Sequence, residues 1–178
     1  LAGWQQLYST IVSGTKVVDE NIINTITQEL DFLKQSWPRD LPRGIIHADL
    51  FPDNVFFTEN RITGVIDFYF SCNDFLAYDI AICLNAWCFD DKSKYRKDCG
   101  EALLVGYNSV RKMEDKEEIS LPILCRGASL RFLLTRLHDL LHPMPGALVN
   151  PKNPLDYMLR LSFHQQLSTA KEYLRTII

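Results

Sequence analysis

The first 36 residues carry apolar side chains at the three- and four-residue spacing of an amphipathic helix. These apolar residues are Leu7, Ile11, Val18, Ile22, Ile23, Ile26, Leu30, Phe32 and Leu33. The spacing predicts one or two helices that end before Trp37, because Pro38 and Pro42 interrupt the helical pattern.

From Gly44 onward the apolar residues instead form short runs between turn-forming residues, a pattern typical of β-strands. The runs occupy residues 45–46, 55–57 and 62–68. Glu59 and Asn60 lie between the last two runs and predict a hairpin turn. A small β region is therefore expected at about residues 44–68.

Helical spacing returns after this β region and continues almost to the end of the chain. The predicted helices cover residues 74–89, 94–110, 119–142 and 154–178. Asn73 and Asp74 are suited to cap the first of these helices, while Ser120 and Pro122 predict the start of the third. A loop over residues 143–147 is expected to stop the third helix.

These elements predict a mostly α fold with a small β insert, in the α+β class. Because a β insert of about 25 residues is too small to fold as a domain, we expect residues 1–178 to form a single domain. The chain has 178 residues, of which 47% are hydrophobic and 23% charged, as in ordinary globular proteins. This composition excludes disordered, collagen-like and disulfide-stabilised miniprotein classes.

The formal net charge is −3 and the basic residues are scattered, so nucleic acid is not an expected partner. The most apolar stretch, residues 80–89, is far shorter than the roughly 20 residues that cross a bilayer, so no membrane span is expected. Five cysteines form no C-x-x-C pair and are expected to be reduced and mostly buried, as in a cytoplasmic protein. The chain begins with Leu1, without a secretory signal, which predicts that it starts inside a longer cytoplasmic chain.

The β region holds a set of polar residues with the spacing of the kinase catalytic loop. His47, Asp49 and Asn54 follow the pattern H-x-D-x-x-x-x-N, and Asp67 comes at the end of an apolar run. An Asp and an Asn in a loop that contains proline are also ordinary turn formers. The joint occurrence of all four residues in predicted strands and loops favours phosphoryl transfer.

Phosphoryl transfer needs a carboxylate that orients the attacking hydroxyl and oxygen ligands that hold Mg²⁺ against the triphosphate of ATP. Asp49 is the candidate catalytic base, and Asn54 and Asp67 are the candidate metal ligands. His47 is expected to support the loop by hydrogen bonding rather than to touch substrate. ATP and Mg²⁺ are therefore the expected cofactors.

The same residues carry a resemblance to a known superfamily. Residues 47–54, together with Asp67-Phe68 and the later Tyr78-Asp79, are similar to the aminoglycoside phosphotransferase and choline kinase superfamily, whose members share the protein-kinase fold. Within that superfamily the resemblance is to the homoserine kinases, and it extends over residues 67–89, 126–136 and 145–149. It implies ATP-dependent phosphorylation of the hydroxyl of L-homoserine to O-phosphohomoserine, a step towards threonine.

The resemblance also implies a role for Asp79 and a missing part of the protein. Asp79 is expected to support the catalytic loop by hydrogen bonding. The sequence contains nothing similar to the Gly-rich loop and the strand lysine of an N-terminal kinase lobe, so the chain is expected to be the C-terminal lobe only. The missing lobe, L-homoserine and ATP are the expected partners, and the isolated chain is expected to be inactive.

Homoserine carries a carboxylate and an ammonium group, so its pocket needs an arginine or lysine and an acidic or carbonyl acceptor. Arg131 and Arg136, on the predicted helix 119–142, are candidates for substrate binding, as are Tyr69 and Trp87. An arginine on a helix is also commonly part of a solvated face or of a structural ion pair.

Two other functions are compatible with these residues. Another small-molecule kinase of the superfamily, acting on an aminoglycoside, choline or a sugar, would use the same base and metal ligands. A non-catalytic interaction module would keep the kinase scaffold without activity, although the presence of Asp49, Asn54 and Asp67 together argues against it.

Overall fold

A computed structural model of the chain describes residues 2–14, 18–143 and 153–174. Within these ranges the chain forms six α-helices and four β-strands, which confirms the predicted α+β class. The helices are α1 (Ala2–Ser13), α2 (Glu20–Ser36), α3 (Leu76–Trp87), α4 (Lys97–Val110), α5 (Asp115–Leu141) and α6 (Leu155–His164). The strands are β1 (Arg43–Ile46), β2 (Val55–Thr58), β3 (Arg61–Val65) and β4 (Cys72–Phe75).

The two N-terminal helices follow the predicted apolar spacing. Asp19 caps α2 by accepting a hydrogen bond from the Asn21 amide at 2.8 Å, which satisfies one of the unpaired amides of the first turn. α2 ends before Trp37, as predicted. The buried residues of α2 are Ile26, Glu29, Leu30 and Leu33.

The strands form two separate antiparallel pairs, in which β1 pairs with β4 and β2 pairs with β3. The predicted turn at Glu59 and Asn60 joins β2 to β3. The sequence pattern does not predict β4. Asn73 and Asp74, expected to cap a helix, lie in this strand instead, and α3 begins at Leu76.

The third apolar run, expected to be extended through residue 68, is shorter in the structure. β3 ends at Val65, and Asp67 adopts a left-handed backbone with φ 62° and ψ 56°. A short 3₁₀ turn, Phe68–Phe70, follows it. Because a left-handed residue turns the chain sharply, Asp67 lies in a bend beyond the strand rather than on it.

The start of α5 also differs from the prediction. α5 begins at Asp115, where Glu114 and Glu117 form a capping box in which each side chain accepts a hydrogen bond from the other residue's amide. Ser120 and Pro122, expected to start the helix, therefore lie inside it.

Two further helix boundaries differ from the predicted ones. α4 begins at Lys97, three residues later than expected. α6 ends at His164, and the short 3₁₀ turn Ala170–Leu174 replaces part of the long helix expected over 154–178. Most of the loop expected over 143–147, and the last four residues of the chain, lie outside the described residues.

α3 and α5 form the centre of the core, since both are buried along most of their length and pack against each other. Gly127 of α5 faces Trp37, and a Cβ at position 127 would lie only 2.3 Å from that ring. Glycine is therefore needed for this close approach. A buried ion pair joins α2 to α5, with Arg126 Nε 2.6 Å from Glu29 Oε1.

The cysteines are mostly buried, as predicted: Cys83, Cys88 and Cys125 are buried, Cys99 is partly exposed and Cys72 is exposed. All five lie in the described ranges and are free thiols. Over those same ranges, no helix combines the length and the apolar character needed to span a membrane.

Candidate active site

The segment that follows β1 is held by the carboxylate of Asp79, in the first turn of α3. Asp79 Oδ2 accepts a hydrogen bond from the His47 amide, and Oδ1 accepts one from the Ala48 amide, each at 2.9 Å. Two backbone amides that lie outside the strand ladder thus find their acceptor in one charged side chain. Asp79 thereby ties the candidate catalytic loop to a helix of the core.

Ala48 has a left-handed backbone, with φ 62°, which is uncommon for a residue other than glycine. Its amide is held by Asp79, and its carbonyl oxygen accepts a hydrogen bond from Arg131 Nη1 at 2.7 Å. The Arg131 guanidinium also lies over the rings of Phe70 and Phe132. Contacts from α3 and α5 therefore hold this strained conformation from both sides.

The His47 side chain connects the loop to the residues that precede Asp67. Nε2 lies 2.9 Å from the Ile66 carbonyl oxygen, and Nδ1 accepts a hydrogen bond from the Asp49 amide at 3.3 Å. A neutral imidazole with its proton on Nε2 satisfies both contacts. The ring also packs against Phe68, with 4.7 Å between ring centroids.

Asn54 lies between the Asp49 loop and the turn at Asp67. The Asn54 side-chain Nδ2 donates a hydrogen bond to the main-chain carbonyl oxygen of Asp49 at 2.8 Å. The main-chain carbonyl oxygen of Asn54 accepts one from the Ile66 amide at 3.0 Å. Ile66 directly precedes Asp67. Asn54 therefore connects the loop of Asp49, the candidate base, to the turn of Asp67, the other candidate metal ligand.

The electrostatic environment of Asp49 combines opposing effects. Burial raises the pKa of Asp49 above its ordinary value, and the negative charge of Asp67 raises it further. The positive charge of Arg131 lowers the pKa, and so does a hydrogen bond from Asn54. Two carboxylates that repel each other beside an amide favour the binding of a cation between them.

The oxygen ligands of Asn54 and Asp67 suit Mg²⁺, which needs few protein ligands, better than a metal ion whose ligands all come from the protein. Mg²⁺ prefers oxygen ligands and keeps several waters or phosphate oxygens, so few protein ligands are needed. Asn54 and Asp67 can supply an amide oxygen and a carboxylate. Across the part of the chain that the structure describes, no group of three or more His, Cys, Asp or Glu residues could hold a metal.

The four substrate-binding candidates occupy different surroundings. Arg131 contacts the loop at the Ala48 carbonyl, and Trp87 Nε1 donates a hydrogen bond to the Leu50 carbonyl oxygen at 2.8 Å. Arg136 forms an ion pair with Asp156 at 3.1 Å. Tyr69 is 87% exposed. The structure thus brings Arg131 and Trp87 to the Asp49 loop, where both bind backbone carbonyls.

The local sequence pattern carries no signal for these two backbone contacts. Arg131 is separated from Ala48 by 83 residues, and Trp87 from Leu50 by 37. Such contacts depend on how α3 and α5 pack beneath the loop, and only the folded structure reveals them.

Comparison with known proteins finds relatives that are similar over almost the whole chain. Homoserine kinase of Rhizobium rhizogenes is 53% identical over 173 residues, which are 97% of this chain and 54% of that protein. Homoserine kinase of Rhizobium meliloti is 51% identical over 171 residues, which are 96% of this chain and 52% of that protein. The chain thus spans about half the length of the curated relatives that it matches.

A solved structure, Plasmodium vivax ethanolamine kinase, has a similar fold with a TM-score of 0.54 and 16% sequence identity. The match covers 90% of this chain and 46% of that one. Residues 11–113, which include Asp49, Asn54, Asp67 and Asp79, match the family described as phosphotransferase enzyme family. The chain belongs to the phosphotransferase enzyme family.

Proposed function

We propose that the protein containing this chain transfers the γ-phosphoryl group of ATP to the hydroxyl of L-homoserine, forming O-phosphohomoserine and ADP. The observation that carries this proposal is the pair of hydrogen bonds by which Asn54 joins the Asp49 loop to the turn at Asp67. The identity of about 50% to homoserine kinases supports the choice of acceptor.

In this mechanism Asp49 accepts a hydrogen bond from the substrate hydroxyl and aims its oxygen at the γ-phosphorus. As the new O–P bond forms, the hydroxyl proton passes to Asp49, and the bond from the γ-phosphorus to the bridging oxygen breaks to release ADP. Most of the rate of such a transfer comes from positioning, which the contacts of Asp79 and Arg131 with the Asp49 loop supply.

Asn54 and Asp67 would hold Mg²⁺, which neutralises the phosphate charge when it is bound. His47 links the two loops that carry these residues, through Ile66 and the Asp49 amide. A change in either loop would therefore disturb both the base and the metal ligands.

We further propose that this chain is the C-terminal lobe of the enzyme and that another part of the protein completes the ATP site. The β region exposes large apolar side chains, more than isolated surface positions normally require. Its exposed apolar residues are Ile45, Phe56, Phe57, Ile62, Val65, Ile66, Phe68, Tyr69 and Phe70. The matched relatives are about twice as long as this chain, which is enough for a second lobe that covers these residues.

The test is ATP consumption by the full-length protein with L-homoserine, choline, methylthioribose and an aminoglycoside as competing acceptors. We expect L-homoserine to have the highest kcat/KM, and the isolated chain to turn over far below the roughly 1–100 s⁻¹ of ordinary kinases. Preference for another acceptor would assign a different small-molecule kinase. Failure with every acceptor, at saturating ATP and Mg²⁺, would support a non-catalytic module instead.

A further inference from the structure

Arg160 of α6 is a partly buried arginine whose charge has no carboxylate partner. Its Nη1 donates a hydrogen bond to the Asn85 carbonyl oxygen at 2.6 Å, and its guanidinium lies over the rings of Phe89 and Tyr157. Asp156, the acidic residue of the same helix, pairs with Arg136 instead. Among the described residues, Arg160 forms no ion pair, although the charge of Asp156 partly offsets its burial. A buried charge without an ion-pair partner is costly.

Two polar atoms of this cluster are buried without hydrogen-bond partners. They are Arg160 Nε and the hydroxyl of Tyr157, a residue that is 0% exposed. Buried polar groups in native proteins normally have partners, so such a pair on one helix face calls for an explanation. Arg160 Nε only donates, whereas the Tyr157 hydroxyl donates and accepts, and the two side chains also attract each other. A negatively charged acceptor can take a hydrogen bond from each of them.

A second cation increases the positive potential at this place. The Arg136 guanidinium lies 4.5 Å from the centroid of the Tyr157 ring, and that of Arg160 lies 4.7 Å from it. Burial lowers the pKa of Arg160, and the positive charge of Arg136 adds to that effect. A bound anion would relieve both the burial cost and the repulsion between the two guanidinium groups.

The cluster lies close to the Asp49 loop. The Tyr157 ring packs on Phe132, whose ring in turn packs on Phe51, two residues after Asp49. Burial raises the pKa of Tyr157, and the charge of Asp49 is near enough to raise it further. Tyr157 therefore lies near the Asp49 loop, and Arg160 packs on its ring.

We propose that Arg160 and the Tyr157 hydroxyl form the subsite for the carboxylate of an amino-acid alcohol substrate. This inference rests on the proposed function and names residues for one part of its substrate. A guanidinium and a phenol hydroxyl together suit a carboxylate, since both donate hydrogen bonds to its oxygens. Arg131 and Arg136 are less suited, because neither has a buried guanidinium nitrogen without a hydrogen-bond partner, and Arg136 is paired with Asp156.

The test compares two acceptors in steady-state assays of the full-length protein: L-homoserine and 3-aminopropan-1-ol. The second keeps the hydroxyl and the ammonium group of homoserine but lacks the carboxylate. We expect Arg160→Gln to lower kcat/KM for L-homoserine by about 10- to 100-fold, the effect of losing hydrogen bonds to a charged group. The kcat/KM for 3-aminopropan-1-ol and the KM for ATP should change by less than about threefold.

Two further variants keep the comparison informative if Arg160→Gln fails to fold. Tyr157→Phe removes only the hydroxyl, and Arg160→Lys keeps the charge but loses the planar fork. Both variants should lower kcat/KM for L-homoserine but not for 3-aminopropan-1-ol, and by smaller factors than Arg160→Gln does. Arg136→Gln removes the second charge of the cluster but no donor to the carboxylate, so it should lower kcat/KM for L-homoserine less than Arg160→Gln does. Arg96→Gln is the matched control, because it removes an exposed guanidinium that pairs with Asp98 outside the cluster, and it should leave kcat/KM for both acceptors unchanged.

Equal losses for both acceptors with Arg160 and Tyr157 variants would overturn the proposal, since the two residues would then be structural. A lower kcat/KM for L-homoserine in Arg136→Gln, without any such loss in the Arg160 variants, would also overturn the proposal. The carboxylate would then be assigned to Arg136. If the unmodified protein phosphorylates only acceptors without a carboxylate, the proposed function and this subsite both fail. If it uses L-homoserine but the variants do not discriminate, the subsite alone fails.

Discussion

Asp79 offers the sharpest test of how the candidate loop is held, because one carboxylate accepts two backbone hydrogen bonds. The Asp79→Asn substitution keeps the size of the side chain but replaces one acceptor oxygen with a donor NH₂ group. The amides of His47 and Ala48, each 2.9 Å from a carboxylate oxygen, cannot both be satisfied by an asparagine. One amide loses its partner and faces another donor.

The size of the effect follows from these two bonds. A hydrogen bond to a charged group contributes about 1.5–3 kcal/mol, and leaving one amide unpaired adds its desolvation cost. We therefore expect Asp79→Asn to lower the free energy of local opening at the loop by about 2–4 kcal/mol. That change corresponds to hydrogen exchange about 30- to 700-fold faster at the two amides.

Hydrogen-deuterium exchange of the full-length protein, resolved at His47 and Ala48, measures this directly. A displaced Asp49 should also lower kcat by about 100-fold, with a much smaller change in the KM for ATP. Asp139→Asn is the control, since the Asp139 side chain is 61% exposed and contacts no backbone of the loop in the described structure. Unchanged exchange at the two amides, together with normal turnover, would refute the proposed role of Asp79.

Three further predictions test the base, the core and one buried histidine. Asp49→Asn should lower kcat by about 10²- to 10⁴-fold while ATP still binds, as measured by turnover and nucleotide titration; near-normal turnover would exclude Asp49 as the base. Glu29→Ala should lower the free energy of unfolding, measured in urea titrations, by about 3–5 kcal/mol, because it leaves the buried Arg126 charge without its partner. A loss below about 1 kcal/mol would contradict this prediction. Burial lowers the pKa of His164 to about 3 from an ordinary 6.5, so its contribution to stability is complete above about pH 6.5 and declines as the pH falls towards 3. His164→Gln should flatten the pH dependence of unfolding in that range, and an unchanged slope would show that other groups cause it.

Regular elements could be predicted from the sequence where a single periodicity dominates. The spacing around Ile26 and Leu33 predicted α2, and the short runs on either side of Glu59 predicted the β2–β3 hairpin. In α2 the buried face decides the structure, and that face is visible in the local pattern. The hairpin was predicted from its apolar runs and turn residues, although most of its apolar side chains are exposed. The polar set His47, Asp49 and Asn54 was equally visible, because its spacing lies within one short loop.

Segments whose residues are compatible with more than one local structure could not be predicted in this way. Asn73 and Asp74 are good helix caps, yet they lie in β4 because pairing with β1 extends that segment. Pro122 favours a helix start, but the Glu114–Glu117 capping box begins α5 two turns earlier. The contacts of Asp79, Arg131 and Arg160 join residues far apart in sequence, so no local pattern encodes them.

The left-handed Ala48 has a consequence for the order in which the protein folds. Its two anchoring hydrogen bonds close loops of 31 residues to Asp79 and 83 residues to Arg131. Closing long loops costs conformational entropy that only later packing repays, so such contacts tend to form late in folding. The loop that carries Asp49 should therefore acquire its shape only after α3 and α5 have docked. A ribosome-bound chain that has not yet released α5 would carry every residue of the H-x-D-x-x-x-x-N pattern but not the geometry that places Asp49.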